Sequence, residues 1–556
     1  MIETIYSNKK NFIVVGLTGR IGSGCTTAAD FLSQDLSEQN LDELNLKEEP
    51  SDKDRKRYII DKYYRKNWKP FTNIKASDII TLFVLKYSFD ELIEILNFEK
   101  LDKKIETIKE LREKYQSYYE EYKTFIEKLK ENNEISLEKK FANIKKLSTI
   151  STFIKEELFK RNYKNYTDVF QKFGDNLRLY GDINSKNKTK EPKNIFTISE
   201  TINKIIKIIR KINGKDKPTY ITIDAVRNPL EAMFFKERYS AFYLVAINST
   251  NDDIENRLKL NQYLEIEEIK EQSKKETKAK LLNSIDDFIS QNIYGCIEKA
   301  DIFIANNGTN NKKDLKELYG MLIKYICLIQ HPGLITPSID EKMMQVAYTA
   351  KLNSGCLSRQ VGASITNKFG SLKSIGWNST ADKQTPCLLR NRDELLGNSN
   401  SKSYSVFEKS NIFKKMLNAE KPILEELGLN QSFCFKSIYT KNNSSEKGNQ
   451  VHTRALHAEE NAFLQLAKYG GEALLDGVLY STASPCELCS KKAYQLGISK
   501  IVYIDPYPGI AIDQILLNGE REIEIKLFSG AIGSAYHKIY EQIIPFKDEL
   551  KALTNV

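Results

Sequence analysis

The sequence predicts an α/β protein in two parts. A parallel sheet carrying a phosphate-binding loop and a long helical insertion comes first, and a smaller α/β/α unit holding a metal site follows. Three observations carry this expectation. Strand-like and helical segments alternate through the first 310 residues, as in parallel sheets with helical crossovers. A glycine-rich turn links the first strand-like segment to a helix. Near the C-terminal end, a His-x-Glu precedes a Pro-Cys-x-x-Cys.

The first strand-like segment is residues 12–15, four apolar residues leading into "GLTGRIGSGCTT". Ala28, Ala29, Phe31 and Leu32 follow at helical spacing. The pattern G-x-x-x-x-G-K-[ST] is met by Gly19, Gly24 and Thr26, with Arg20, Gly22, Ser23 and Thr27 completing the loop, but Cys25 stands where lysine belongs. Backbone N–H groups and a helix dipole bind phosphate without that lysine. Phosphoryl transfer draws much of its electrostatic stabilisation from it. The loop therefore reads as one that holds or senses a regulatory nucleotide. A kinase with Arg20 or a distant lysine as substitute cation, and a purely structural relic, are the other two readings.

Residues 36–170 are expected to be an insertion, opening on the polar stretch "LSEQNLDELNLKEEPSDKDRKR" as a mobile loop. Further on, Leu101, Ile105, Ile108, Leu111, Tyr115, Tyr118, Tyr122, Phe125 and Leu129 recur every three or four residues. That spacing predicts one long amphipathic helix. Its seam fits either a helical hairpin folding on itself or the contact of a homo-oligomer. Strand-like segments 220–223, 242–247 and 301–305 complete the sheet, with a helix over 199–212 before the first of them.

A boundary is expected near residue 330, where "HPGLITPS" carries two prolines and a glycine. Residues 1–328 then form the first domain and 329–556 the second, about 225 residues and of ordinary domain size. Within the second, 381–450 read as an irregular insertion or long loop.

Bulk properties narrow the classes. At 556 residues the chain is too long for one core. It has no run of 18 apolar residues, so no membrane-spanning helix is expected. The segment "MIETIYSNKK" has no signal-peptide pattern, so a cytoplasmic location is expected. A net charge of +10, from 84 basic and 74 acidic residues, suits polyanionic partners without choosing among them. Of eight cysteines, Cys25, Cys296, Cys327, Cys356, Cys387 and Cys434 are scattered and expected to be reduced. Only Cys486 and Cys489 have metal-ligand spacing.

The strongest chemistry lies in His457-Ala458-Glu459 and Pro485-Cys486-Glu487-Leu488-Cys489, the arrangement that marks zinc-dependent deaminases. Two cysteines three apart share one face of a helical turn and reach one Zn2+. Pro485 suits the start of that turn, and His457 supplies a third ligand. Three protein ligands leave a fourth position open, as catalytic zinc requires for activating water. A structural zinc site is the competing reading, but no fourth Cys or His stands beside these three. His331, His452 and His537 read as ordinary polar or core residues, His452 being close enough in sequence to support the site from outside. Glu459 is placed to take a proton from water and hand it to the ring nitrogen and leaving amine of cytosine.

The second part resembles the deoxycytidylate deaminase family of the cytidine deaminase superfamily. Met344, Ala347, Ser354, Cys356 and the run Arg359 to Ala363 look like that family's opening helix and first strand. Gly376-Trp377-Asn378 is similar to its G-Y-N segment, with tryptophan for tyrosine, and residues 479–484 to the strand before the cysteines. The resemblance implies a mixed sheet flanked by helices, zinc between two helix N-termini, a deoxycytidine nucleotide as substrate, and substrate contacts from Asn378, Ser484 and Pro485. The longer 381–450 segment leaves mono- or triphosphate undecided.

The first part resembles P-loop nucleotide kinases, nearest to those acting on deoxynucleoside monophosphates. "QKFGDNLR" at 171–178, "DAVRNPLE" at 224–231 and "ADIFIANNGT" at 300–309 carry that likeness in order. The two halves together resemble bacterial anti-phage dCTP deaminases, which implies conversion of dCTP to deoxyuridine nucleotides. Deamination of single-stranded nucleic acid is the alternative from another class. No basic stripe interleaved with aromatics supports it.

Overall fold

The computed structural model describes all residues except 1, 97–104, 131–136, 159–162, 187, 215–216, 261–284, 309–311, 398–399, 424, 444–452, 506–509 and 555–556. The chain forms two compact units, Met1–Thr336 with Ser534–Val556, and Pro337–Gly533.

In the first unit, β1 (Phe12–Thr18), β2 (Thr72–Lys75), β3 (Thr219–Asp224), β4 (Phe242–Asn248) and β5 (Ile302–Ala305) lie in the order β5-β4-β1-β3-β2. Every neighbouring pair is parallel. β3 and β4 are buried along their whole length, which explains their apolar runs, since both faces of a parallel sheet are covered by helices. The helix Thr197–Asn213 turns Ile202, Ile205, Ile206 and Ile209 into the core.

The segment expected as an insertion is more integrated than its composition suggested. β2 pairs with β3, with Ile74 opposite Ile223, and so belongs to the sheet. Its four residues, TNIK, alternate too briefly to stand out in a polar stretch. The final residues of the stretch read as a loop, from Asp52 onward, are helical. Ser51 caps that helix by a reciprocal box with Asp54, which satisfies otherwise unpaired N–H groups.

The long helix is Ile105–Lys130. Its Leu111, Tyr115 and Tyr122 are buried. Tyr115 Oη donates to the carbonyls of Val84 and Tyr87 at 3.2 and 3.0 Å, and Tyr118 packs on Phe153. This part of the seam is used within the unit. Leu101 lies outside the described residues, as do the side chains of Ile105, Ile108, Phe125 and Leu129.

The domain boundary also shifts. Residues 329–336 stay with the first unit, and 534–556 return to it. His331 Nε2 and Glu549 Oε1 are 2.8 Å apart, Tyr6 Oη donates to Glu549 Oε2 at 3.0 Å, and the Tyr6 and His331 rings stack. A buried carboxyl needs hydrogen-bond partners, and these hold the helix Phe546–Thr554 on this unit.

The second unit is built on β6 (Gly362–Thr366), β7 (Leu372–Trp377), β10 (Val478–Ser481), β11 (Lys500–Tyr503) and β12 (Glu524–Leu527), ordered β12-β11-β10-β6-β7. β10, β11 and β12 run parallel, whereas β6 is antiparallel to both β10 and β7. A two-strand ladder joins β8 (Ser379–Thr380) to β9 (Ala455–Leu456), directly before His457. Between them, the described residues of the segment expected as an insertion or long loop carry short helices. Leu395, Tyr404, Phe413, Leu417, Phe433 and Ile438 form a core of their own. The fully buried Arg390 pairs with Glu408 and lies against the Tyr404 and Phe433 rings.

Two glycines set how closely helices approach this sheet. A Cβ on Gly362 would lie 2.0 Å from the Ala347 carbonyl, on the helix Ile339–Lys351. One on Gly376 would lie 2.2 Å from the Ala458 carbonyl and 2.4 Å from the Ala462 nitrogen. Gly376→Ala should therefore cost about 1–3 kcal/mol, the usual range for overpacking, and lower zinc content by displacing the helix that starts at His457. Denaturant unfolding with metal analysis checks this; unchanged stability and metal content would refute the packing argument.

Candidate metal and active site

His457 is the N-cap of the helix Ala458–Tyr469, and Cys486 that of the helix Glu487–Gln495. Ser374 Oγ donates to the Ala462 carbonyl at 2.6 Å, and Asn461 Nδ2 to the Trp377 carbonyl at 2.9 Å, so the first helix is pinned to β7. β10 delivers the second through Ser484, whose N–H donates to the Asp505 carbonyl at 2.9 Å. The two helix N-termini meet at one point. There Cys486 Sγ lies 3.3 Å and Cys489 Sγ 3.6 Å from His457 Nδ1.

These three form the one such donor group among the described residues, with all donor atoms within 4.8 Å of one another. Both cysteines are buried and His457 is half-buried. Two thiolates and an imidazole suit zinc, and three protein donors leave a coordination position open. Helix N-termini favour thiolate charge. The Cys486 thiol, hydrogen-bonded by Cys489 and by His457, is held at about 4 against the opposing effect of burial. Cys489, sharing its proton with Cys486, is pushed up. His457 is raised by the Cys486 hydrogen bond, burial opposing.

Glu459 is 4% exposed, two residues along from His457, and its Oε1 accepts from Ser481 Oγ at 2.8 Å. Burial pushes its carboxyl up from the ordinary value, with the Ser481 hydrogen bond working in the opposite direction. Sequence reasoning missed Ser481; its position in the strand leading to Pro485 is the signal that could have found it. Ser484 is buried, and the Pro485 carbonyl accepts from Ser490 Oγ. Asn378 is committed to local structure: its Oδ1 accepts from Val361 N and its Nδ2 donates to the Arg359 carbonyl, each at 2.7 Å. Buried Asp505 pairs with Arg359. His452 lies outside the described residues.

The glycine loop belongs to the first unit. Gly24, at φ 106°, precedes the helix Cys25–Leu32. Ser23 Oγ and Cys25 Sγ are 3.6 Å apart, and a Cβ on Gly19 would meet them at 2.5 and 3.1 Å. Arg257, absent from the sequence reading, donates to the carbonyls of Gly22 and Gly308 at 3.0 and 2.9 Å. Arg20 is turned to Asn251 Oδ1 and the Ser249 carbonyl. Thr26 Oγ1 donates to Asp224 Oδ2 at 3.1 Å, and burial raises the Asp224 carboxyl. Arg178 joins "QKFGDNLR" to "DAVRNPLE", its Nε 2.9 Å from Glu231 Oε1. Beside them lies a cavity of about 330 Å³, lined in part by Thr26, Lys75, Asp78, Phe170, Asp224 and Arg227. Burial raises Asp78 to about 6.

Fold and donor set together define the second unit as an α/β domain with a zinc-type donor site open at one position. Residues 337–505 match the family of the cytidine and deoxycytidylate deaminase zinc-binding region. The deoxycytidylate deaminase of Enterobacteria phage T2 is 29% identical over 188 residues, 33% of this chain and 88% of that protein. The deoxycytidylate deaminase of Schizosaccharomyces pombe is 27% identical over 37% of this chain and 48% of its own length. A dCMP deaminase of cyanophage S-TIM5, solved with dCMP and dUMP, is 23% identical over 35% of this chain and 99% of its own, with a TM-score of 0.22. The second unit is a cytidine/deoxycytidylate deaminase-type domain, with Zn2+ as its cofactor. Among the described residues, no helix is long and apolar enough to cross a membrane.

The raised Glu459 carboxyl predicts a pH-dependent gain from its neutral isostere. Below about 4.5 the carboxyl is protonated in both folded and unfolded chains and nothing changes. As pH rises, the unfolded chain loses the proton first, so the fold is penalised, fully above the folded value. In chelator-treated protein, Glu459→Gln should raise the melting temperature at pH 7 to 8, with the gain vanishing towards pH 4. A gain independent of pH would refute burial as its cause.

Proposed function

We propose that the second unit deaminates a free deoxycytidine nucleotide, with dCTP to dUTP as its reaction. The observation that carries this is the convergence of His457, Cys486 and Cys489 at two helix N-termini, with buried Glu459 oriented by Ser481. His457, Cys486 and Cys489 hold Zn2+, which when bound supplies the Lewis acidity that activates water at neutral pH. Glu459 is the proton carrier: its carboxylate accepts one proton from the attacking water and delivers it to N3 of cytosine, then takes the proton of the hydroxyl added at C4 and delivers it to the amine, which leaves as ammonia. A buried carboxyl of raised proton affinity is suited to holding that proton between the two transfers. Ser484 and Pro485 border the site from the strand end, and Asn378 shapes it by bracing residues 359–361.

The triphosphate reading rests on resemblance of the two-part chain to anti-phage dCTP deaminases, and implies a role in depleting dCTP during infection. The names of the T2 and yeast relatives favour a second reading, dCMP as substrate in nucleotide metabolism. The first unit, in this proposal, binds a regulatory nucleotide without transferring phosphate. Cys25 brings no positive charge to the loop, Arg20 is engaged by Asn251 and Ser249, and the adjoining cavity lies at the carboxyl ends of β2 and β3, where open α/β sheets take ligands.

Purified protein offered dCTP, dCMP, dCDP, CTP and a cytosine-containing oligonucleotide should release ammonia fastest with dCTP; turnover of the oligonucleotide alone would overturn the reading. Glu459→Gln should lower turnover by about 10²–10⁴-fold while retaining one zinc per chain. For the glycine loop, Gly24→Val should abolish nucleotide binding, because its Cβ would sit 2.5 Å from Asn306 Nδ2 at a φ closed to valine. Equilibrium dialysis reads this, and wild-type ATPase activity would overturn the non-catalytic assignment.

A further inference from the structure

We propose that the miniature core of the 381–450 segment is a positioning element for the deaminase site. Through a close contact between Pro386 and Gly355 it fixes residues 354–361, a wall of that site, and so sets how tightly the nucleotide is held. The proposal rests on the deaminase reading of this unit.

The wall is built around Asn378. Its side chain accepts from Val361 N and donates to the Arg359 carbonyl, and its own carbonyl accepts from Ser354 Oγ at 2.7 Å. Gln360 Nε2 donates to the Ser354 carbonyl at 3.1 Å, so residues 354–361 are braced as one piece. That piece adjoins the site at two points. Gly362, the next residue, donates its N–H to Thr482 Oγ1 at 3.1 Å, and the Thr482 N–H returns to the Gly362 carbonyl at 3.0 Å. Thr482 follows Ser481, which donates to Glu459. Arg359 pairs with Asp505, whose carbonyl accepts from the N–H of Ser484, two residues before Cys486.

The 381–450 segment grips this wall from outside. Leu388 N donates to the Gly355 carbonyl at 3.1 Å. A Cβ on Gly355 would lie 2.5 Å from Pro386 Cβ and 3.1 Å from Pro386 Cγ. Gly355 is not at a positive φ, so the proline ring, and not the backbone conformation, leaves no room for a side chain there. The gripping turn is tied to the miniature core behind it. The Leu388 carbonyl accepts from Asn430 Nδ2 at 3.0 Å and from Ser432 Oγ at 2.6 Å. Two residues on, buried Arg390 pairs with Glu408 and lies against the Tyr404 and Phe433 rings. At the other end of the segment, Arg454 Nη1 donates to the Thr385 carbonyl at 3.4 Å, and β8 and β9 close the excursion between Asn378 and His457. A packed core resists deformation and transmits strain, so the position of the core becomes the position of the wall.

The test is a wedge placed at the contact in the full-length zinc-loaded protein. Gly355→Ala sets a methyl group against a ring that cannot turn away, so either the wall or the segment must give. With a stiff core the wall gives. The KM for dCTP and dCMP should then rise about tenfold, as overpacking implies. The Kd of the same nucleotides, read by equilibrium dialysis in a Glu459→Gln background, should rise with it. Turnover at saturation should stay within about threefold of wild type, with zinc content unchanged. Adding Pro386→Gly removes the opposing Cβ and should bring KM and Kd back towards wild type. Unchanged KM and Kd in Gly355→Ala would overturn the proposal, because the segment would then be yielding to the wall. So would a loss confined to kcat, or one that tracks falling zinc content and melting temperature and is not reversed by Pro386→Gly. No turnover of either nucleotide by the wild-type protein would overturn the deaminase reading, and this proposal with it.

Discussion

Two helix N-termini must end at one point, and everything around the candidate site follows from that requirement. Two cysteine sulfurs lie 3.3 and 3.6 Å from one imidazole nitrogen, a donor set that suits zinc. Their positions are fixed by backbone: His457 and Cys486 are each the last residue before a helix begins. The helices in turn take their places from a sheet that admits them closely. Gly376 has no side chain because the helix backbone occupies that space. Ser374 and Asn461 then lock the helix to β7 with two side-chain-to-carbonyl hydrogen bonds. A change of a few ångströms at β7 would separate the imidazole from the thiols.

The same economy governs the proposed general acid–base group. Glu459 lies in the first turn of the His457 helix, so the element that presents a candidate metal donor also presents the proposed proton carrier. Its burial raises its affinity for a proton, and Ser481, from the strand that leads to the cysteines, fixes one oxygen. Donor and proton carrier cannot drift independently. The first unit follows another logic. There the glycine loop is held from behind by Arg257 and Asn306, which take up its carbonyls, and the polar groups with unusual environments gather around the neighbouring cavity.

Much of this was readable from the chain alone. The parallel strands β1, β3, β4 and β5 are apolar runs because both of their faces are covered, and covered runs are conspicuous. The candidate donors His457, Cys486 and Cys489, which the fold brings together, stood out with Glu459 because their spacing is set by local helix geometry. What escaped was non-local. β2 is four residues long and owes its place to pairing with β3, which no local signal announces. The miniature core of residues 381–450 is assembled from six apolar residues scattered through a polar stretch. The return of residues 534–556 to the first unit depends on one carboxylate, Glu549, finding His331 and Tyr6 over 200 and 500 positions away.

The sequence by itself determined which chemistry this protein can hold: a Cys-x-x-Cys at helical spacing, a His-x-Glu at a helix start, and a glycine loop whose cation is replaced by Cys25. Those are short-range facts, written in spacing and residue type. Tertiary structure alone decided which groups meet. It brought His457 to Cys486 across 29 positions and turned Arg20 away from the glycine loop. The reason is physical: contact between distant residues is set by which helices pack on which strands, and that packing is a property of the whole core.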